Sequence, residues 1–406
     1  MAPQLASQPE LLTSTSPPHV VDRGIDDLPG RPLTVTLVDS VDELRNHLPA
    51  WERLVEKAVE PNIFYEPWML IPGWEQYGGE TNLQVAMIYA PCRKNPQGNP
   101  VLCGLLPLER HRGLGGLPVG NVQAWRYPHC FLRTPLVRSD YVHETVGALL
   151  DWLRDDPQGA PVLRLDYISG EGALHHALVE LLHRRGNAAW LRERYDRALL
   201  VPATDAESYS KAATGRKRRH EARRQRKRLA EQGKLESVTL EDDGDIDRWI
   251  DDFLRLEAKG WKGRTATAFA CHEADQTFFR NIVHDAFRRR RLMMLALRFN
   301  GQTIAQKCNF LAGDGGFAFK IAYDEAYQQY SPGVLLEMDN IAAIHQRPAL
   351  QWMDSCADPN HPMIDRLWRE RRLIESLWIA TGRRFGDFAV SIAPPMRWLR
   401  ETFTRR

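Results

Sequence analysis

The sequence has no Cys-x-x-Cys pair. Its six cysteines, Cys92, Cys103, Cys130, Cys271, Cys308 and Cys356, are scattered through 406 residues. That spacing excludes a disulfide framework and a cysteine zinc site, and implies reduced thiols in the cytoplasm. No apolar run is long enough to cross a bilayer, so no integral membrane segment is expected. Residues 1–31 are rich in Pro, Ser and Thr and have no basic start followed by an apolar stretch. They read as a disordered tail, not as a secretory signal. Net charge is also nearly absent, at +2, so nothing global argues for DNA or a membrane surface as partner.

What is present is a soluble globular composition, 43% apolar and 26% charged. The length exceeds one ordinary compact core, so two domains are expected. Residues 33–38 read as a strand, and "DSVDELRNHLPAWERLVEKA" as a helix with Leu44, Leu48, Trp51, Leu54 and Val55 at helical spacing, capped by Asp39 or Ser40. A helix around 66–77 and the strands "LQVAMIYA" and "NPVLCGLLPLER" come next.

From Glu236 the order starts again. "SVTLED" is a strand and "DIDRWIDDFLRLEAKGW" a helix with Ile246, Trp249, Ile250, Phe253, Leu254 and Leu256 on its apolar face. "DQTFFRNIVHDAFRRR" is a second helix, and two strands joined at Asn300-Gly301 make a hairpin. The later pair "APVLRLDYIS" then "GALHHALVELLHRRG" is answered by "ALQWMDSC" then "HPMIDRLWRERR", read as strand then helix. The fold class expected is α/β with a mixed sheet, built from two tandem repeats, 32–200 and 201–406. A basic helix over 211–232 joins them and ends at Gly233.

Strand "GGFAFKIAYD" is followed by "EAYQQYSPGVLLEM", a Gly-containing turn and an apolar helix. A helix N-terminus beyond a strand's carboxyl end favours an anionic ligand. Gln328, Ser331 and Gly333 fall on Q/R-x-x-G-x-G/A, the pyrophosphate loop of the GNAT acyltransferases, with Ser331 in place of the first Gly. Pro332 removes one amide donor but suits the first turn of a helix. The Ser331 hydroxyl either caps the helix or donates to phosphate.

"WKGRTATAF", "FKIAYDEAYQQYSPGVLL" and "DSCADPNHPMIDRLWRERR" resemble the acetyltransferase domain of CelD-type proteins. That family belongs to the GNAT superfamily, is linked to cellulose and other exopolysaccharide synthesis, and is related to the FemAB aminoacyltransferases. The likeness is most specific over 208–380. It implies acetyl-CoA or another acyl-CoA as co-substrate, no metal, and a small-molecule or saccharide acceptor. It also implies association with membrane-linked polysaccharide synthesis machinery. It assigns Gln328, Gln329, Tyr330, Ser331, Gly333 and Val334 to the donor loop, in the second half alone. The superfamily often places a Tyr acid on the next helix, where this sequence has none.

Candidate catalytic residues cluster near that loop. Lys320, between Phe319 and Ile321, holds a carboxylate such as Asp354 or binds substrate. Alternation puts Phe317, Phe319, Ile321 and Tyr323 on one face of the strand and Lys320 and Asp324 on the other. Asp324 and Glu325, at the strand's carboxyl end, are candidate bases. His361, before the expected helix, is a candidate base or acid. Trp261, Lys262 and Arg264 would lie on a loop and, with Tyr323, are candidates to hold a sugar ring or phosphorylated acceptor. A buried anchor Trp with two solvated charges is the alternative. Arg218 and Arg219 belong to a basic run over 216–228 suited to a CoA phosphate, a lipid-linked diphosphate sugar or RNA. Two rivals remain: an aminoacyl-tRNA-dependent aminoacyltransferase, and a non-catalytic protein binding an anionic polymer.

Overall fold

The computed structural model describes residues 32–79, 81–91 and 99–403; the expected tail and Cys92 lie outside them. The described residues from Leu33 onward form one compact unit. Its strands are β1 (Thr34–Val38), β2 (Leu83–Ala90), β3 (Val101–His111), β4 (Asn121–Ala124), β5 (Leu136–Val137), β6 (Val162–Ser169), β7 (Ala189–Leu200), β8 (Leu235–Thr239), β9 (Leu292–Phe299), β10 (Gln302–Ala312), β11 (Gly315–Tyr323), β12 (Trp352–Asp354) and β13 (Glu370–Ala380). All join one mixed sheet in the order β1-β2-β3-β4-β6-β13-β7-β12-β11-β10-β9-β8, with β5 beside β3.

That order is a palindrome. From the β1 edge inward the pairings run antiparallel three times, then parallel at β4–β6, then antiparallel at β6–β13. From the β8 edge they run antiparallel three times, parallel at β11–β12, then antiparallel at β12–β7. Each half therefore hands its last strand to the other. β7 closes the second half's sheet and β13 the first half's, and the two pair antiparallel at the centre from Glu370↔Leu199 to Ile379↔Ala189. The duplication expected from the sequence is present in the fold.

Local signals formed as their chemistry dictates. Ser40 caps the first helix by accepting from the Glu43 amide at 3.3 Å, and the expected long helix breaks into Val41–Asn46 and Leu48–Lys57. Asn300 and Gly301 both take positive φ, 48° and 78°, the type I′ requirement of a two-residue hairpin. The helix Ile246–Lys259 buries Ile246, Trp249, Ile250, Phe253, Leu254 and Leu256. They join a core running through both halves, while a second cluster lies under the helix Pro332–His345.

Four expectations fail. "HPMIDRLWRERR" forms only a 3-10 turn, Ile364–Arg366, and its end enters β13. The basic helix spans Arg216–Ala230, because Gly215 separates it from the helix Ala206–Ala213; it ends at Glu231 in αR geometry, not at a left-handed Gly233. Trp261–Arg264 is a short helix, not a loop. The alternation along β11 also breaks. Cys308 faces Lys320 and Phe310 faces Phe317, two steps on β10 against three on β11. The extra residue is a bulge, which re-aims the side chains beyond it.

Candidate active site

The bulge decides where the lysine points. Phe317, Phe319 and Ala322 join the larger core, while Ala318, Ile321 and Tyr323 pack with the other. Lys320 turns to the Phe319 side, its ammonium 3.9 Å from the centroid of the Phe269 ring and 3.6 Å from Glu257 Oε1. Lys320 therefore does not hold Asp354. Asp354 sits beside Phe317 in the parallel β11–β12 register, three residues and roughly 10 Å along the strand. Burial pushes the Lys320 ammonium down to about 8, with Glu257 resisting and Lys262 adding to the shift. Glu257 is sealed from solvent and also accepts from Lys262 Nζ at 2.8 Å and from the Phe269 amide at 2.9 Å. Burial would raise its carboxyl, but the two lysines hold it below the usual value.

β11 and β12 pair only through Gly315, Gly316 and Phe317, so the strands part just before Lys320. The first half parts likewise: β4 and β6 pair only through Asn121–Gln123 and Val162–Arg164. There the gap is filled by the chain itself. The Arg133 amide bonds the Tyr167 carbonyl at 2.9 Å, the Ser169 amide bonds Thr134 Oγ1 at 2.9 Å, and Asn62 Nδ2 holds the Thr134 carbonyl at 2.7 Å.

At the far end of β11, Asp324 caps the 3-10 helix Glu325–Tyr330 by accepting from the Ala326 amide at 3.0 Å. Its other oxygen accepts from Lys259 Nζ at 2.7 Å. Burial raises the carboxyl, but Lys259 and the amide outweigh it and leave it low. Glu325 accepts from Arg264 at 2.8 and 3.2 Å and from the Trp261 amide at 2.8 Å, and the Arg264 bond also holds it low. Both carboxylates thus carry a partner, and together they fix the Trp261 turn. Trp261 is 53% exposed, which rules out the buried anchor, while Lys262 turns inward to Glu257.

Gln328 and Gln329 are exposed and Tyr330 is buried. Ser331 sits in left-handed geometry (φ 49°, ψ 54°), and its side chain makes no cap. The Ser331 carbonyl takes the amides of Val334 and Leu335 at 2.9 and 3.1 Å, while Gly333 is in the first turn, where amides lack intrahelical acceptors. Gly333 is buried, and a Cβ there would lie 3.2 Å from the Tyr323 ring. Any side chain there would press on the Tyr323 ring, so glycine suits this close approach of helix and ring.

The basic helix packs on this loop. Gln232 donates to the Tyr330 hydroxyl at 2.6 Å, Arg228 lies 6.0 Å over the Tyr330 ring, and Arg226 reaches Asp339 at 2.6 Å. Arg219 caps the preceding helix through the Thr214 carbonyl and, at 3.1 Å, that of Lys211; Arg218 bonds the Arg366 carbonyl at 3.4 Å. Arg216 and Lys217 are exposed and form no ion pair among the described residues. His361 is half-buried and its Nδ1 accepts from the Met363 and Ile364 amides at 3.4 and 3.3 Å, so it caps a turn; burial lowers its pKa.

Sequence reasoning missed a polar group beside Lys320. His129 Nε2 lies 3.0 Å from Asp275 Oδ1, and the Tyr77 hydroxyl donates to the same oxygen at 2.7 Å. These residues are 146 and 198 positions apart in pairs, so no local pattern signals them.

Residues 216–361 match the sequence model of the acetyltransferase (GNAT) domain. The matched segment contains the basic helix, Trp261, Lys320 and the Gln328–Gly333 loop. No curated protein sequence matches the chain. In fold it is similar to FemX, with 9% identity, 82% of this chain and 95% of FemX covered, and a TM-score of 0.52. It is also similar to a conserved protein of unknown function from Bacteroides thetaiotaomicron, with 12% identity, 86% and 99% covered, and a TM-score of 0.51.

Proposed function

We propose that the chain is an acyl-CoA-dependent acyltransferase, with acetyl the first acyl group to test. It would modify a hydroxyl or amine of a sugar, a polysaccharide precursor or a related metabolite in the cytoplasm. One observation carries this: β11 leaves β12 after Phe317 and leads into a helix N-terminus built close by Gly333, within the segment that matches the GNAT domain. Such a terminus offers amides and dipole to a diphosphate. The assigned units are a degenerate repeat, 32–200, whose own gap is plugged by residues 133–134, and an acyl-transfer unit, 201–406, carrying the donor loop.

Transfer from a thioester needs an anchored donor, a deprotonated acceptor and a group that supports the developing oxyanion. Lys320, on the strand that borders the gap, would bind the acyl carbonyl or the acceptor. Asp324 and Glu325 are assigned to holding the Trp261 turn, whose exposed indole suits a sugar face. Calorimetry with acetyl-CoA tests the donor. Wild type is expected to bind, and Gly333→Trp to bind at least about tenfold more weakly, since an indole there must displace the Tyr323 ring. Absence of binding to wild type overturns the proposal. Equal binding by both proteins, at equal thermal midpoints, overturns the loop assignment.

A second reading, an aminoacyl-tRNA donor, is favoured by Arg216 and Lys217 at the start of the basic helix, which are exposed and form no ion pair among the described residues. Under it, Arg216→Glu with Lys217→Glu weakens tRNA binding and flattens its salt dependence. Unchanged tRNA affinity in filter binding across a salt series returns the helix to a connector.

A further inference from the structure

The loop after β4 crosses to the second half and brings His129 against Phe269 and Phe278, with ring centroids 4.5 and 5.6 Å away. Phe319 of β11 is 6.4 Å from the same imidazole. Lys320 covers the Phe269 ring as well, so the histidine of one half and the lysine of the other share an aromatic wall. The side chains of His129 and Asp275 keep 10% and 15% of their exposure, so the pair is recessed but not sealed.

The hydrogen bonds fix the imidazole. Burial would raise the Asp275 carboxyl, but the bonds from His129 and Tyr77 hold it below its ordinary value, so it is ionised near neutral pH. An ionised carboxylate only accepts, so Nε2 carries the hydrogen and Nδ1 the lone pair. Nδ1 makes no hydrogen bond among the described residues. Burial also pushes the imidazole below its ordinary pKa, leaving it neutral at pH 7. The charged groups that act on it are Asp275, Lys320 and Glu257.

We propose that His129 is the general base of the acyl transfer and that Asp275 and Tyr77 are its positioning residues. The inference rests on the acyl-CoA reading above. Nδ1 takes the proton of the acceptor's hydroxyl or amine as its oxygen or nitrogen attacks the thioester carbonyl. The tetrahedral adduct expels the CoA thiolate, and the imidazolium returns the proton to that sulfur. One C–S bond breaks, one C–O or C–N bond forms, and the histidine ends neutral, with no further reactant required. The two halves then have distinct tasks. The second carries the donor and the first supplies the base, which explains why a repeat with a plugged gap is kept against it.

The test uses the full chain, acetyl-CoA, and a panel of water, glucosamine and glucose as acceptors, with release of CoA thiol as readout. Wild type is expected to release thiol with a rate that falls as pH drops through a single ionisation below the usual histidine value. His129→Gln is expected to lose that ionisation and about 10²–10⁴-fold in rate, while still binding acetyl-CoA. Asp275→Asn removes the charge that favours the imidazolium, so its acid limb moves to lower pH as its rate falls. Tyr77→Phe frees the carboxylate for His129 alone, so its limb moves up; a merely structural tyrosine would not move it. An unchanged pH–rate profile in His129→Gln overturns the inference, as does a wild type that binds acetyl-CoA but releases no thiol to any acceptor. Failure of wild type to bind acetyl-CoA overturns the underlying reading instead.

Discussion

Asp354→Ala is expected to cost about 3–5 kcal/mol of stability, the range for removing one partner of a buried ion pair. Asp354 is sealed from solvent, with Arg197 Nε 3.1 Å from one oxygen and Arg372 Nη1 3.0 Å from the other. The Cys356 amide adds a bond at 2.8 Å. Arg197 lies on β7, Arg372 on β13 and Asp354 on β12, so the cluster pins the exchanged strands where the two halves interlock. Alanine leaves two guanidiniums facing each other with 2% and 11% of their side-chain surface exposed. Urea unfolding measures the loss. A deficit under about 1 kcal/mol would show that the arginines find other partners.

The pH dependence has a definite sign. Burial alone would raise the Asp354 carboxyl, but Arg197 and Arg372 outweigh it and hold it low. A depressed carboxyl stabilises the fold above its unfolded pKa, about 3.9, and that contribution fades as pH falls through the folded value. The gap between wild type and Asp354→Asn should therefore be constant above about pH 5 and narrow below about pH 4. Pairing Arg372→Met with Asp354→Ala should recover part of the loss, because one uncompensated charge is removed.

Local signals were legible and long-range ones were not. The Asn300-Gly301 hairpin and the apolar face of Ile246–Lys259 are written in a few adjacent residues, and both formed. β13 was misread at its start because "WRERRLIESLWIA" is rich in Glu, Arg and Leu, good helix formers. Its position between β6 and β7 overrides that propensity. The exchange of last strands has no local signature, because it depends on which sheet a strand completes. The turn at Ser331 into the helix Pro332–His345 was legible from spacing, but the tyrosine ring against Gly333 was not. The side of Lys320 was misjudged because one bulge residue shifts the phase of a strand by half a period. His129, Asp275 and Tyr77 come from a loop and two helices of different halves, so only the folded chain brings them together.

Under the acyl-transfer reading, Lys320→Met is expected to stabilise the protein while lowering its rate. The Lys320 side chain is 12% exposed, and its pKa falls from 10.5 to about 8 chiefly through burial. Between pH 8 and 10.5 the unfolded chain holds a proton on this amine that the folded chain has released. Stability therefore rises with pH across that window, and at pH 7 the group costs the fold about 3 kcal/mol at most. Methionine matches the length without the charge, and Glu257 keeps Lys262 at 2.8 Å as its partner. The variant should therefore gain about 1–3 kcal/mol at pH 7, a difference that vanishes above about pH 10. A cation held at such a cost on the strand that borders the gap is explained if it meets a developing negative charge there. CoA-thiol release should then fall by about 10²-fold or more in the stabilised variant. A Lys320→Met protein that gains stability and keeps its full rate would leave the lysine outside the reaction, and one that loses stability would show that Glu257 needs both of its lysines.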